Sequence, residues 1–207
     1  LECLKSVYLQ TYTEYDIIEM CYDQSDFSLI RMLKDKGLFK KNKLIFLNKE
    51  CVDNIESENY IFNYAFNKLK YDVCININID DIYDNNRFML QIKKIEEGYD
   101  IVSSDYKIFQ NHEGEKYERD VKISKEFKDD YEERLYYCKM MIEKKVTLPF
   151  SCFTFNKKSW NLIKKVMFPE QLYLCKNILS KKIRIHTCNK FLLYHRIHNK
   201  QISNIYK

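Results

Sequence analysis

Two adjacent acids, Asp80 and Asp81, follow the short stretch Asn76 to Ile79, in which polar and apolar residues alternate. Neighbouring carboxylates repel each other unless a cation lies between them. Oxygen ligands of this kind favour Mg²⁺ or Mn²⁺, which proteins usually bind together with substrate phosphates. The pair therefore predicts either a divalent-cation site or, more simply, an Asp-rich turn before the next element.

The spacing of apolar residues predicts the elements that position these acids. Short apolar runs alternate with segments of helical periodicity in the first half of the chain. The predicted strands are 15–22, 42–48, 72–78 and 99–109, and the predicted helices are 2–10, 27–36, 57–70 and 86–97. This alternation predicts an α/β fold with a mostly parallel central sheet flanked by helices, where ligands bind beyond the carboxyl ends of the strands.

The second half of the chain is less regular. It contains a turn signal at 110–117, then predicted helices at 125–145, 156–166 and 170–181, and predicted strands at 149–155, 183–188 and 191–197. Its aromatic residues, such as Phe150, Trp160 and Tyr173, are typical of a core. We expect one domain, 1–207, in which about 1–105 form the regular half and about 106–207 the less regular half.

Charge and cysteine content limit the classes of partner. The chain carries a net charge of +5, and residues 171–207 contain eight Lys or Arg, three His and no acid. This end faces an anion or is a solvated basic surface, and peripheral contact with anionic lipid is one option. Nucleic acid is not expected, because the charge is moderate and no nucleic-acid-binding module is recognised.

The eight cysteines form no CxxC pair, and several lie in apolar runs. They are therefore expected to be reduced core residues of a cytoplasmic protein. No signal peptide or bilayer-spanning run is recognised, and the chain begins with Leu, as a piece of a longer protein would.

Three stretches in order, LECLKSVYLQTYTEYDIIEM, ENYIFNYAFNKLKYDVCININIDDIYDNNRF and FLLYHRIHNKQISN, carry a resemblance that covers most of the chain. The sequence resembles family 2-type glycosyltransferases with the GT-A fold. The residues of the first stretch that match at the family spacing are Ser6, Gln10, Thr11 and Tyr12. The family's first strand has no counterpart here, so we expect it to precede residue 1.

The resemblance implies a metal and donor site around the paired acids. Asp80 corresponds to the second acid of the family's DxD motif and Asn78 to the first, where a neutral amide is a weaker ligand. Asp81 matches the acid that follows the motif and would orient the donor sugar or hold a neighbouring cation. His198 matches a histidine that completes the metal shell, although a surface-loop histidine is the simpler interpretation.

Further roles are implied by position. Arg196 would lie at the donor diphosphate, and Asn63 matches a helix residue of the donor site. Either Asp26 or Asp23 would face the nucleotide. Glu170 would be the catalytic base, because the family's usual Asp is Gln171 here. The alternative for Glu170 is an acid favoured by a helix N-terminus.

These matches imply a hexosyltransferase-type enzyme that uses Mn²⁺ or Mg²⁺, with a nucleotide-sugar half at about 1–105 and an acceptor half at about 106–207. The aromatic residues of the second half could then stack on sugar faces, although core positions are more typical of them. The enzyme would transfer a sugar, with inversion, from a nucleotide sugar such as a UDP-sugar to a saccharide, lipid-linked or protein acceptor. Because Asn78 and Gln171 depart from the family pattern, a catalytically silent binding domain is the alternative. A nucleotidyltransferase also uses paired acids, but no Gly-rich phosphate loop is present near the N-terminus.

Overall fold

The computed structural model describes residues 2–21, 35, 37, 42–48, 54–112, 115–143, 149–163 and 175–197. These residues form a mixed α/β fold in which short helices pack against two sheets. Most of the predicted helix at 27–36 and the first part of the one at 170–181 lie outside the described residues.

The described α-helices agree with the periodicity of the sequence. They are α1 (Glu2–Tyr8), α2 (Asn54–Asn63), α3 (Arg87–Glu96), α4 (Asp130–Glu143) and α5 (Lys157–Ile163). π-Helical turns follow at Tyr64–Lys68 and Ile178–Lys182, and a 3₁₀ turn covers Phe150–Cys152. Gly98 lies just past the end of α3 with a φ of 94°, a conformation that side chains with a Cβ rarely adopt.

The strands form two sheets. β1 (Ile17–Cys21) and β2 (Leu44–Asn48) make a two-stranded parallel sheet. The six-stranded sheet has the order β3–β7–β5–β8–β4, with β6 also paired to β5. Its strands are β3 (Val73–Ile75), β4 (Ile82–Tyr83), β5 (Ile101–His112), β6 (Glu115–Val121), β7 (Thr154–Asn156) and β8 (Ile185–Arg196).

The six-stranded sheet is mixed, which corrects the prediction of a mostly parallel sheet. β5 and β8 are parallel, whereas the β3–β7, β5–β7, β5–β6 and β4–β8 pairs are antiparallel. The antiparallel pairs arise from the β5–β6 hairpin and from short strands that meet partners far along the chain. Hydrophobic periodicity identifies such strands but does not encode their direction.

β5 and β8 form the long axis of this sheet. The segments predicted as two strands, 183–188 and 191–197, are one strand in which Asn189 and Lys190 bulge out of the register. Strands from both sides of residue 105 share the sheet, so the two proposed halves pack on one framework.

Two larger apolar clusters hold the helices onto the sheet. One joins α1 to the sheet through Leu4, Val7, Tyr83, Tyr106 and Leu193. The other surrounds the fully buried Trp160, whose ring stacks on Phe62 with centroids 4.3 Å apart. Trp160 is therefore a core residue, as its position predicted.

The six cysteines whose environment the structure describes are free thiols, and five of them are buried. Burial raises the pKa of Cys3 to about 12 and that of Cys188 to about 11, so these thiols stay protonated at neutral pH. Within the described ranges, this confirms the predicted core positions for five of these cysteines. In the same part of the chain, every helix is too short or too polar to span a bilayer.

Candidate functional site

Side chains of α1 and of the residues just after it fix the segment that runs from β4 into α3. Ser6 Oγ, in α1, accepts a hydrogen bond from the backbone N–H of Tyr83 at 3.1 Å. Gln10, just past the end of α1, donates from Nε2 to the carbonyl of Asp84 at 2.7 Å, and its Oε1 accepts from the backbone N–H of Phe88 at 3.0 Å. Two of the residues that carry the family resemblance therefore hold the segment that directly follows the paired acids.

Within that loop, Asn78 is fixed through its backbone. Its N–H donates to Tyr83 Oη at 2.7 Å, and its carbonyl accepts from Tyr83 Oη at 3.0 Å and from Cys3 Sγ at 3.3 Å. Burial raises the pKa of Tyr83 well above its usual value, so the phenol keeps the proton that it donates. The side-chain oxygen of Asn78 lies 3.4 Å from Asn76 Nδ2.

The two adjacent acids lie in different surroundings. Asp80 is partly exposed, whereas Asp81 is completely buried. Asp81 Oδ2 accepts from Ser151 Oγ at 2.6 Å. Asp81 Oδ1 accepts from His195 Nδ1 at 2.9 Å and from the backbone N–H of Arg196 at 3.1 Å. Three donors from two distant segments thus occupy the carboxylate of Asp81, and they tie the loop to the end of β8.

The pairing of β4 with β8 explains why Asp81 meets His195. Ile82 lies opposite Tyr194 in this antiparallel pair, so one step further along the register places Asp81 opposite His195. Directly opposed residues of antiparallel strands project from the same face. The sequence prediction did not include His195, and the signal that would have found it is this long-range register rather than a local motif.

A buried cation, Arg87, lies beside the same loop and was also not predicted. Its Nε donates to Gln91 Oε1 at 3.0 Å, its Nη2 donates to the carbonyl of Asn76 at 3.2 Å, and its guanidinium lies 4.6 Å from the centre of the Tyr83 ring. Burial lowers the pKa of Arg87, while the charge of Asp81 opposes that change. Arg87 therefore provides a compensating positive charge near the buried Asp81.

Arg196 extends from the last residue of β8. Its guanidinium lies 4.8 Å from the centre of the Phe109 ring, and its Nη2 donates to Glu2 Oε2. The hydrogen bond and charge of Arg196 lower the pKa of Glu2. Both side chains reach solvent, so the pair resembles exposed salt bridges, which contribute roughly 0–1 kcal/mol to stability.

Asn63 lies in a different part of the fold from Asp81. Its Oδ1 accepts from Trp160 Nε1 at 3.2 Å, at the edge of the second apolar cluster. The structure brings together Asn78, Asp80, Asp81 and the backbone of Arg196. Asn63 instead contacts Trp160 in the core. The other predicted site residues, Asp26, Glu170 and His198, lie outside the described residues.

The described residues alone do not make a complete metal shell. No group of three His, Cys, Asp or Glu side chains in this part of the chain is arranged to hold a metal ion. The oxygens of Asp81 already accept from three donors. Of the predicted metal ligands, Asp80 is the carboxylate that lies within the described residues. A divalent cation would need further ligands from elsewhere in the chain or from a bound ligand.

Comparison with known proteins adds evidence on the fold. Neither a protein-family model nor a curated protein matches the sequence. The structure of S. aureus TarS 1-349, a glycosyltransferase, is similar with a TM-score of 0.51 and 16% identity over 94% of this chain. The fold is similar to that of a glycosyltransferase.

This chain spans 56% of the length of that TarS structure. The structure of A197 from STIV is also similar, with a TM-score of 0.45, 13% identity, and coverage of 89% of this chain and 86% of that one. At 16% identity, the similarity to TarS supports a glycosyltransferase-like α/β fold, whereas the chemistry must be argued from the site.

Proposed function

We propose that this chain is a glycosyltransferase that moves a sugar from a nucleotide-sugar donor, such as a UDP-sugar, to an acceptor hydroxyl. The TarS-like fold over 94% of the chain carries the proposal. The position of Asp80 supports it, because this partly exposed acid lies in the loop after β3, which Cys3 of α1 and His195 of β8 contact on either side of it, at Asn78 and Asp81.

In this proposal the donor diphosphate binds at the end of β8. Arg196 would release Glu2 and turn its fork of N–H donors toward the phosphate oxygens, which match that geometry. Asp80, with His198 and Asn78, is the proposed ligand set for Mn²⁺ or Mg²⁺, an ion that would offset the charge of the departing diphosphate. Asn63, Asp26 and Asp81 stay proposed donor-site residues.

The acceptor would be activated by Glu170. As a general base, it would remove the proton of the acceptor hydroxyl while the oxygen attacks the anomeric carbon in line, which inverts the configuration. Proposed acceptors are a saccharide, a lipid-linked sugar or a protein. A lipid-linked acceptor would also give the basic end of the chain a reason to approach an anionic membrane surface.

A silent, transferase-like binding domain is the second candidate. The observation that favours it is the neutral Asn78 at the first position of the metal motif, followed by Asp81 with both oxygens occupied by protein donors. Such a site could hold a nucleotide sugar without neutralising the leaving group well enough for turnover.

Nucleotide release distinguishes the two candidates. The protein is incubated with a panel of nucleotide sugars and Mn²⁺, and free nucleotide is measured with and without candidate acceptors. The transferase predicts release that falls by about 10²–10⁴-fold in Glu170→Gln, the range expected for loss of a general base. Donor binding without release, even in Gln171→Asp, would contradict turnover and support the binding domain.

A further inference from the structure

We infer that His195 contacts the phosphates of the ligand and that Asp81 is its positioning residue. The identity of the ligand as a nucleotide diphosphate rests on the proposed function. His195, the side chain that would contact the diphosphate group, is not among the residues that the family pattern identifies.

Asp81 fixes the orientation of the His195 ring. Asp81 is completely buried, and Ser151 Oγ and the backbone N–H of Arg196 hold its carboxylate in place at 2.6 and 3.1 Å. The carboxylate accepts from His195 Nδ1 at 2.9 Å. An ionised carboxylate only accepts hydrogen bonds, so Nδ1 carries a proton and the ring cannot turn without losing this contact.

The fixed ring has its second nitrogen, Nε2, on the side of the imidazole away from Nδ1. Among the described residues, the side-chain hydrogen bond of His195 is the one that Nδ1 makes to Asp81. The side chain of His195 is 21% exposed, so the ring reaches solvent at the end of β8. A histidine held by a buried carboxylate on one nitrogen and open on the other is arranged to contact a ligand.

The basic residues near His195 in the sequence favour an anionic ligand. Arg196 follows directly, and residues 175–197 contain six Lys or Arg and no acid, counting Lys176, Lys181, Lys182, Arg184, Lys190 and Arg196. When the ring carries both protons, Nε2–H is a charge-assisted donor whose best acceptor is an oxyanion. A diphosphate bound at the end of this strand would present such oxygens to His195.

The test uses inorganic pyrophosphate as the probe, because it needs no assumption about the base or the sugar. Affinity is measured by titration calorimetry at millimolar pyrophosphate in EDTA, for the wild-type chain, His195→Ala and Asp81→Asn. His186→Ala is the matched control, since His186 lies on the same strand nine residues earlier and stacks against Tyr99.

We expect His195→Ala to bind pyrophosphate about tenfold more weakly, as loss of one charge-assisted hydrogen bond predicts. Asp81→Asn should lose about threefold, because its amide oxygen still accepts from Nδ1 but carries no charge. His186→Ala should bind as the wild type does. Unchanged affinity in His195→Ala would overturn the inference, and so would a wild-type chain that does not bind the probe.

A repeat with Mn²⁺ separates two roles for Nε2. If His195→Ala weakens binding only when Mn²⁺ is present, the ring is a metal ligand and the phosphate contact is overturned. The outcome is also independent of turnover. A chain that binds pyrophosphate through His195 but releases nucleotide from no donor would retain this inference while overturning the proposed transferase.

Discussion

Gln10, just past the end of α1, and Phe88 on α3 are joined by a hydrogen bond of 3.0 Å, in which the backbone N–H of Phe88 donates to Oε1 of Gln10. The first N–H groups of a helix have no partner within it, so Gln10 caps α3 from a distant part of the sequence. The amide group of Gln10 also donates to the carbonyls of Ser6 and Asp84 at 3.1 and 2.7 Å. One buried side chain thus connects α1, the end of β4 and α3.

Replacing Gln10 with Ala should therefore lower the free energy of unfolding by about 2 kcal/mol, since buried backbone groups lose their partners. Urea denaturation monitored by circular dichroism measures the change. Thr11→Ala is the control, because Thr11 is exposed and should change stability by less than about 0.5 kcal/mol. Equal effects of the two substitutions would contradict the capping role.

The two adjacent acids should respond differently to the same substitution. Asp81→Ala leaves three donors at a buried position unpaired and removes the negative charge near Arg87, so we expect a loss of about 3 kcal/mol or more. Asp80→Ala, at a partly exposed position, should cost less than about 1 kcal/mol. Thermal unfolding of both variants measures this difference, and a larger loss for Asp80→Ala would be inconsistent with the structure.

Glu133 on α4 should make stability depend on pH. Burial raises its pKa from 4.5 to about 7, while its Oε1 accepts from the backbone N–H of Thr187 at 3.1 Å. The folded protein keeps this proton over a range in which the unfolded chain has lost it. Stability contributed by this group is therefore present below about pH 4.5 and is lost as pH rises toward about 7.

Glu133→Gln removes the cost of ionising a buried carboxyl group at high pH, and it keeps an oxygen that can accept from the backbone N–H of Thr187. We expect the variant to be more stable than the wild type by about 1–3 kcal/mol at pH 8, and equally stable at pH 4.5. Denaturant titrations at the two pH values give the comparison. Glu132→Gln, at a more exposed neighbouring position, is the control and should show no such pH-dependent gain.

Glu2 should compete with anionic ligands for Arg196. Glu2→Gln removes the negative charge that pairs with this guanidinium, so pyrophosphate affinity should rise by about twofold to fivefold, within the range of an exposed salt bridge. Calorimetric titration at low ionic strength measures the change, which should shrink in high salt because salt screens exposed charges. Weaker binding by Glu2→Gln would show that Glu2 supports the anion site.

Much of the fold could be predicted from local sequence. Helical periodicity and the glycine after the helix define α3. The motif that begins in α1 includes Ser6 and Gln10, which contact the segment from β4 to α3. The antiparallel pairs of the six-stranded sheet could not be predicted in this way. Their register depends on contacts between strands far apart in the chain, such as β3 with β7.

The site was predictable to the same degree. The acidic pair is visible as a motif, but its two members differ in burial because only Asp81 lies opposite His195 across the β4–β8 register. From the sequence alone, Arg87 is an ordinary residue in the first turn of a helix. Its complete burial results from packing against Tyr83 and Gln91. Tertiary contacts, rather than residue type, decide these roles.

A crystal soaked with UDP and Mn²⁺ tests the central claim, a donor site at the end of β8, most directly. We expect density for the nucleotide with its diphosphate within hydrogen-bonding distance of Arg196 and His195 Nε2, and with Mn²⁺ bound by Asp80. A structure in which the nucleotide is absent, or in which its phosphates lie away from Asp80 and the end of β8, would contradict it.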